Sequence, residues 1–182
     1  MSRTSAAAAK ALASSHFELF GLVPAFALDA ARLDAAYRDI QAEVHPDRYA
    51  QAGDAERRAS MQMTTRVNEA YRTLKSPVQR AKYLLALNGV DVAFETDTAM
   101  PKDFLVEQME LRERLEEAKD AAALEALSSH LNEQRRLLET QIGRQIDSAR
   151  DFAGAKPLVR KLMFLERLGD EIHDAYETLE AR

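Results

Sequence analysis

From Asp29 onward the apolar positions fall on a helical period. Leu33, Tyr37, Ile40 and Val44 are spaced four, three and four, which is one face of an amphipathic helix with Asp29 as its N-cap. His45-Pro46 stops it, because the residue before a proline is pushed out of the α region. After a loop over residues 47–53, Asp54 is placed to cap a second helix. Its stripe is Ala59, Met63, Val67, Ala70 and Leu74, with Tyr71 beside it. Ser76-Pro77 restarts the chain as a short helix that ends at Asn88-Gly89. Two long helices joined by a loop pack as an antiparallel hairpin, so His45, Pro46 and Asp47 are expected at its tip.

Beyond residue 90 the pattern changes. Residues 91–101 hold Thr, Asp and Pro101 without an apolar period and read as a linker. Three helical segments follow, at about 102–119, 121–152 and 156–180. Their stripes are Phe104, Leu111, Leu115 and Ala118; then Leu124, Leu127, Leu131, Leu138, Ile142 and Ala149; then Leu158, Leu162, Leu165, Ile172 and Leu179. Short connections make these an antiparallel three-helix bundle. The predicted fold is all-α: an N-terminal extension over 1–15, frayed and leading into a first helix, a helical-hairpin domain over 16–90, the linker, and a bundle over 102–182.

Some apolar residues miss the stripes. Leu105, Val106 and Met109 lie about 100° or more around their helix from Phe104, and Met163 and Phe164 flank the stripe of the third. Beside the first group run Glu107, Glu110, Glu113, Glu116 and Glu117, interrupted by Arg112 and Arg114. Two readings stay open. One is a wide core face next to a solvated acidic face; the other is an exposed apolar patch rimmed with acid, the form of a partner site.

Composition narrows the chemistry. Apolar residues are 46% and charged residues 30% of the 182, a globular balance. With no cysteine, disulfides, thiol catalysis and thiolate-held metals or clusters are excluded. His16, His45, His130 and His173 show no metal-ligand spacing, and no P-loop, dinucleotide or Gly-x-Ser-x-Gly pattern occurs. Neither an enzyme nor a cofactor or metal is expected. No apolar run approaches a membrane span, so a cytoplasmic protein without membrane contact is expected. Residues 1–90 carry twelve Lys and Arg against nine Asp and Glu, a net of +3; residues 91–182 carry thirteen against twenty-one, a net of −8. The basic residues form no stripe, so nucleic acid is not expected, and the two halves face different partners.

His45-Pro46-Asp47 alone reads as an ordinary turn. It also suits recognition, since proline pre-organises the loop, imidazole donates or accepts, and a carboxylate grips arginine. Its context is more specific. Phe17, Phe20 and Gly21, the helix ending in His45-Pro46-Asp47, and then Val67-Asn68-Glu69-Ala70-Tyr71, Leu74, Pro77, Arg80 and Tyr83 resemble a J-domain in order and spacing. Continuing through Leu84-Leu85-Ala86-Leu87-Asn88-Gly89, residues 104–113 and Lys161-Leu162-Met163-Phe164-Leu165, the chain resembles the HscB family of iron–sulfur co-chaperones.

That resemblance implies two partners and no catalysis. An HscA-type ATPase chaperone would take His45, Pro46, Asp47, Arg38 and Arg48. An IscU-type iron–sulfur scaffold protein would take Leu105, Val106, Met109, Glu110, Glu113, Glu117 and Phe164. Val106 stands where methionine is expected, and Arg48 where lysine is common. The chain would stimulate the chaperone's ATP hydrolysis and deliver the scaffold to it. The alternatives are a general J-domain adaptor with a different client, and a structural protein that oligomerises through its acidic bundle.

Overall fold

The computed structural model describes residues 14–92 and 102–181. The linker expected at 91–101 and the extension at 1–15 therefore lie largely outside the described residues. Seven α-helices and no strand occur among the described residues. The chain divides into two compact units, Met1–Leu84 and Leu85–Arg182.

The first unit opens with α1 (His16–Leu19), a single turn held by a capping box. Ser15 Oγ accepts the Glu18 amide at 3.2 Å, and the Glu18 carboxylate accepts the Ser15 amide at 2.7 Å. That second bond holds the Glu18 carboxyl below its usual range. Helix α2 (Ala30–Val44) begins where the sequence predicts, with the Asp29 carboxylate accepting the Arg32 amide at 3.1 Å. A 3-10 turn, Pro46–Tyr49, carries the chain toward α3 (Asp54–Lys75), and α4 (Pro77–Leu87) follows. Asp54 is not the cap of α3 as expected. Gly53 occupies the N-cap without a side-chain bond, and Asp54 inside the first turn pairs with Arg57.

Helices α2 and α3 run antiparallel. Asp34 meets Tyr71 and Lys75, Tyr37 meets Asn68 and stacks on Tyr71, and Val44 meets Ser60 and Thr64, so partners run backward along α3 as the chain advances along α2. Beneath them Phe17, Phe20, Phe26, Leu33, Val67, Ala70, Leu74, Val78, Ala81 and Leu84 are buried. Helix α1 is tied down by Tyr83, whose hydroxyl accepts the His16 amide at 2.9 Å and whose ring stacks on the imidazole at 4.2 Å.

The second unit is a bundle of α5 (Lys102–Glu117), α6 (Ala121–Gly143) and α7 (Phe152–Glu180). The Tyr176 hydroxyl near the end of α7 donates to Ala121 O and Glu125 at the start of α6, so these two are antiparallel. Lys161 lies by Phe104 and Glu107 while Arg112, further along α5, meets Glu171, so α5 and α7 are parallel. Leu111, Leu124, Leu127, Leu131, Ile142, Val159, Leu162, Leu165, Leu168 and Ile172 close the core.

The connection between α6 and α7 departs from expectation. The helix predicted over 121–152 widens into a π-helical turn, Arg144–Ser148, and stops. Arg150 then adopts φ 56°, the left-handed conformation that reverses a chain after a helix. Ala149, assigned to the core stripe, is exposed as a result. Helix α7 begins at Phe152 rather than at 156, because Asp151 caps the Gly154 amide at 2.8 Å. Pro157 is accommodated in the second turn of that helix, where the bond its missing N–H would have made is to the exposed Ala153.

Candidate partner-binding surfaces

The hairpin tip is built from the end of α2. A helix leaves its last carbonyls without intrahelical partners, and here three consecutive ones are met by side chains. The Arg48 guanidinium donates to Ala42 O at 2.9 Å, the Tyr49 hydroxyl to Glu43 O at 3.4 Å, and Ser60 and Thr64 both to Val44 O, at 2.7 and 3.1 Å. His45 follows with φ −56° and ψ 130°, the extended conformation that the following proline requires. Its Nδ1 accepts the Asp47 amide at 3.3 Å, and the Arg48 amide closes the turn on His45 O at 3.1 Å. A ring nitrogen accepting an amide hydrogen carries none itself, so the hydrogen of the neutral imidazole sits on Nε2.

The tip is open to partners. His45, Asp47 and Arg48 are exposed and Pro46 is half-buried; Arg38 is exposed two turns back along α2. A rigid backbone thus presents an imidazole, a carboxylate and two guanidinium groups, which together recognise a partner's charged and hydrogen-bonding groups with little ordering cost. Sequence reading missed Ser60, Thr64 and Tyr49, which hold this tip. The legible signal was a polar pair four residues apart, Ser60 and Thr64, next to a stripe of apolar residues.

On the second unit, Leu105, Val106 and Met109 are 45%, 55% and 63% exposed along α5, while Phe104 and Leu111 point into the core. Of the two open readings, the exposed patch is what the structure contains. Glu110, Glu113 and Glu117 are exposed on the same side of the helix. Glu107 and Arg112 instead turn to α7, pairing with Lys161 at 3.9 Å and Glu171 at 3.5 Å. Phe164 differs from the other apolar members of the set. It is half-buried in the α5–α7 seam, edge-on to Phe104 with 5.6 Å between centroids and under the Arg112 guanidinium. The patch is therefore three free apolar side chains on α5, rimmed by acid, with an aromatic ring anchored at its seam.

Among the described residues no group of three or more His, Asp or Glu is arranged to hold a metal ion, and no helix is long and apolar enough to cross a membrane.

Known proteins match the chain across both of its units. A family model described as the HSCB C-terminal oligomerisation domain matches residues 100–173. The chain is 52% identical over 172 residues to the co-chaperone protein HscB homolog of Burkholderia mallei strain SAVP1, covering 93% of this chain and 98% of that one. The homolog of Burkholderia vietnamiensis is 51% identical over the same shares. Among solved structures, chaperone HscB from Vibrio cholerae is similar with a TM-score of 0.80 at 35% identity, over 91% of this chain and 99% of that one. Human co-chaperone HscB superposes with a TM-score of 0.86 at 30% identity, over 90% and 83%. A J-domain hairpin followed by a three-helix bundle, matched over 90–93% of the chain by such relatives, places this chain in the HscB family of co-chaperones.

Proposed function

We propose that the chain is a two-site adaptor of iron–sulfur cluster assembly. His45, Pro46 and Asp47, with Arg38 and Arg48, dock on an HscA-type ATPase chaperone and stimulate its ATP hydrolysis. Leu105, Val106, Met109, Glu110, Glu113, Glu117 and Phe164 hold an IscU-type scaffold protein. Joining the two sites raises the concentration of scaffold at the chaperone without any added contact. The chain itself catalyses nothing in this reading, and its place of action is the cytoplasm.

The observation that carries the reading is the exposed His45 on a backbone where the Ala42, Glu43, Val44 and His45 carbonyls are each bonded. The test is His45→Gln. The variant should lose stimulation of the chaperone's ATPase while its unfolding free energy stays within about 0.5 kcal/mol of the parent, as for other exposed positions. Full stimulation by a folded variant overturns the reading. A general J-domain adaptor with another client is distinguished by titrating the IscU-type scaffold into the chain calorimetrically.

A second reading is favoured by the description of the matching family model as an oligomerisation domain. In it the patch on α5 joins copies of this chain. Light scattering behind size exclusion decides: a concentration-independent monomer that still binds scaffold supports the adaptor. A dimer that dissociates on Met109→Glu supports the second reading.

A further inference from the structure

We infer that Ser60 and Thr64 are positioning residues for the hairpin tip, orienting the His45 imidazole through the peptide plane that precedes it. The inference rests on the docking role proposed for that tip.

The geometry supplies an unbroken series of fixed links. Val44 O takes hydrogen bonds from Ser60 Oγ at 2.7 Å and Thr64 Oγ1 at 3.1 Å, from two successive turns of α3. Because the peptide unit is planar, fixing that carbonyl fixes the direction of the His45 N–H as well. From there only His45 φ, ψ and the side-chain torsions remain. Pro46 restricts ψ to the extended region, where it is found at 130°. The Asp47 amide donates to Nδ1 at 3.3 Å and restrains the ring. Of the rotations between α3 and the imidazole, ψ and the ring torsions are thus restrained, and φ stands at −56°.

Two observations separate this from ordinary helix chemistry. A serine or threonine inside a helix usually bonds back to the carbonyl four residues earlier. Thr65, Thr140 and Thr178 do so, to Met61, Arg136 and Asp174. Ser60 and Thr64 instead reach across the hairpin to the same foreign carbonyl. Ser60 is also 5% exposed, a buried polar side chain whose hydroxyl is bonded to Val44 O. A hydroxyl kept there, with its partner in place, serves the carbonyl rather than the core.

The experiment compares the full chain with Ser60→Ala/Thr64→Val, and with the swapped variant Ser60→Thr/Thr64→Ser, which keeps both hydroxyls. Three measurements are made well below the melting transition: maximal stimulation of the chaperone ATPase at saturating chain, the half-saturating concentration, and amide hydrogen exchange of Asp47 and Arg48 in the chain alone. We expect the hydroxyl-free variant to lose maximal stimulation five-fold or more and to exchange both tip amides at least ten-fold faster. The swapped variant should recover most of each. A folded hydroxyl-free variant that stimulates like the parent overturns the inference. So does loss of stimulation with unchanged tip exchange. Should the parent chain fail to stimulate, the docking role falls, and exchange at the tip still decides whether the hydroxyls hold it. If the double variant does not fold, Thr64→Val alone carries the same comparison, with a smaller expected effect of about two-fold.

Discussion

His16 is buried against Tyr83, and burial disfavours its charged form. Desolvation, then the Arg66 guanidinium, pull its pKa below the ordinary 6.5, and Glu69 opposes them more weakly. In the unfolded chain the same ring titrates at its ordinary value, so it binds a proton that the folded state resists. Stability is then full above about pH 6.5 and falls as pH drops from there through the lowered folded value. His16→Phe keeps a ring on Tyr83 and removes the proton site. The difference in urea midpoint between pH 7.5 and pH 5.5 should be smaller for the variant than for the parent; an equal difference would place the pH dependence elsewhere.

Helix α5 carries two kinds of apolar residue, and mutation should tell them apart. Leu105→Ala and Met109→Ala remove exposed atoms and should each change stability by under about 0.5 kcal/mol, while scaffold binding weakens. Phe164→Ala should cost about 2 kcal/mol, roughly half the loss of a fully buried phenylalanine, since one side of the ring rests on Phe104. Leu111→Ala, in the core, should cost roughly 2–5 kcal/mol. Melting curves beside calorimetric titration of scaffold measure both effects, and equal destabilisation by Met109→Ala and Leu111→Ala would show the patch is core.

These elements also show how far the sequence could be read. The stripes of α2, α3 and α6 were legible because a regular period needs only local information. Leu105, Val106 and Met109 stood out for the same reason, by missing the period. Phe164 also misses its helix's period, but its half-buried place depends on Phe104 from another helix, which that period does not encode. The π turn at Arg144–Ser148 and the early start of α7 at Phe152 arise from how α6 must reverse onto α7, which no local pattern encodes. The role of Ser60 and Thr64 depends on Val44 O, a partner that another helix supplies.

For the whole molecule the charge division and the two compact units bear on one experiment. Residues 1–90 contain every buried side chain of the first unit, Met1–Leu84, so that fragment should fold as a helical domain by circular dichroism and stimulate the chaperone without retaining scaffold. An unfolded fragment would mean that the units share one core. Scaffold association with the intact chain should slow as salt rises, since Glu110, Glu113 and Glu117 are exposed and residues 91–182 carry thirteen basic against twenty-one acidic side chains.

The tie between His16 and Tyr83 sets an order of events during synthesis. The two residues are 67 positions apart, and this tie cannot form until Tyr83 has left the ribosome. At about 5–20 residues per second that delay is roughly 3–13 s. Until α3 has emerged, Phe17 and Phe20, buried in the finished protein, lack the helix against which α1 packs. A co-chaperone with this topology is itself, for part of its birth, an unfinished chain with aromatic residues still open to solvent.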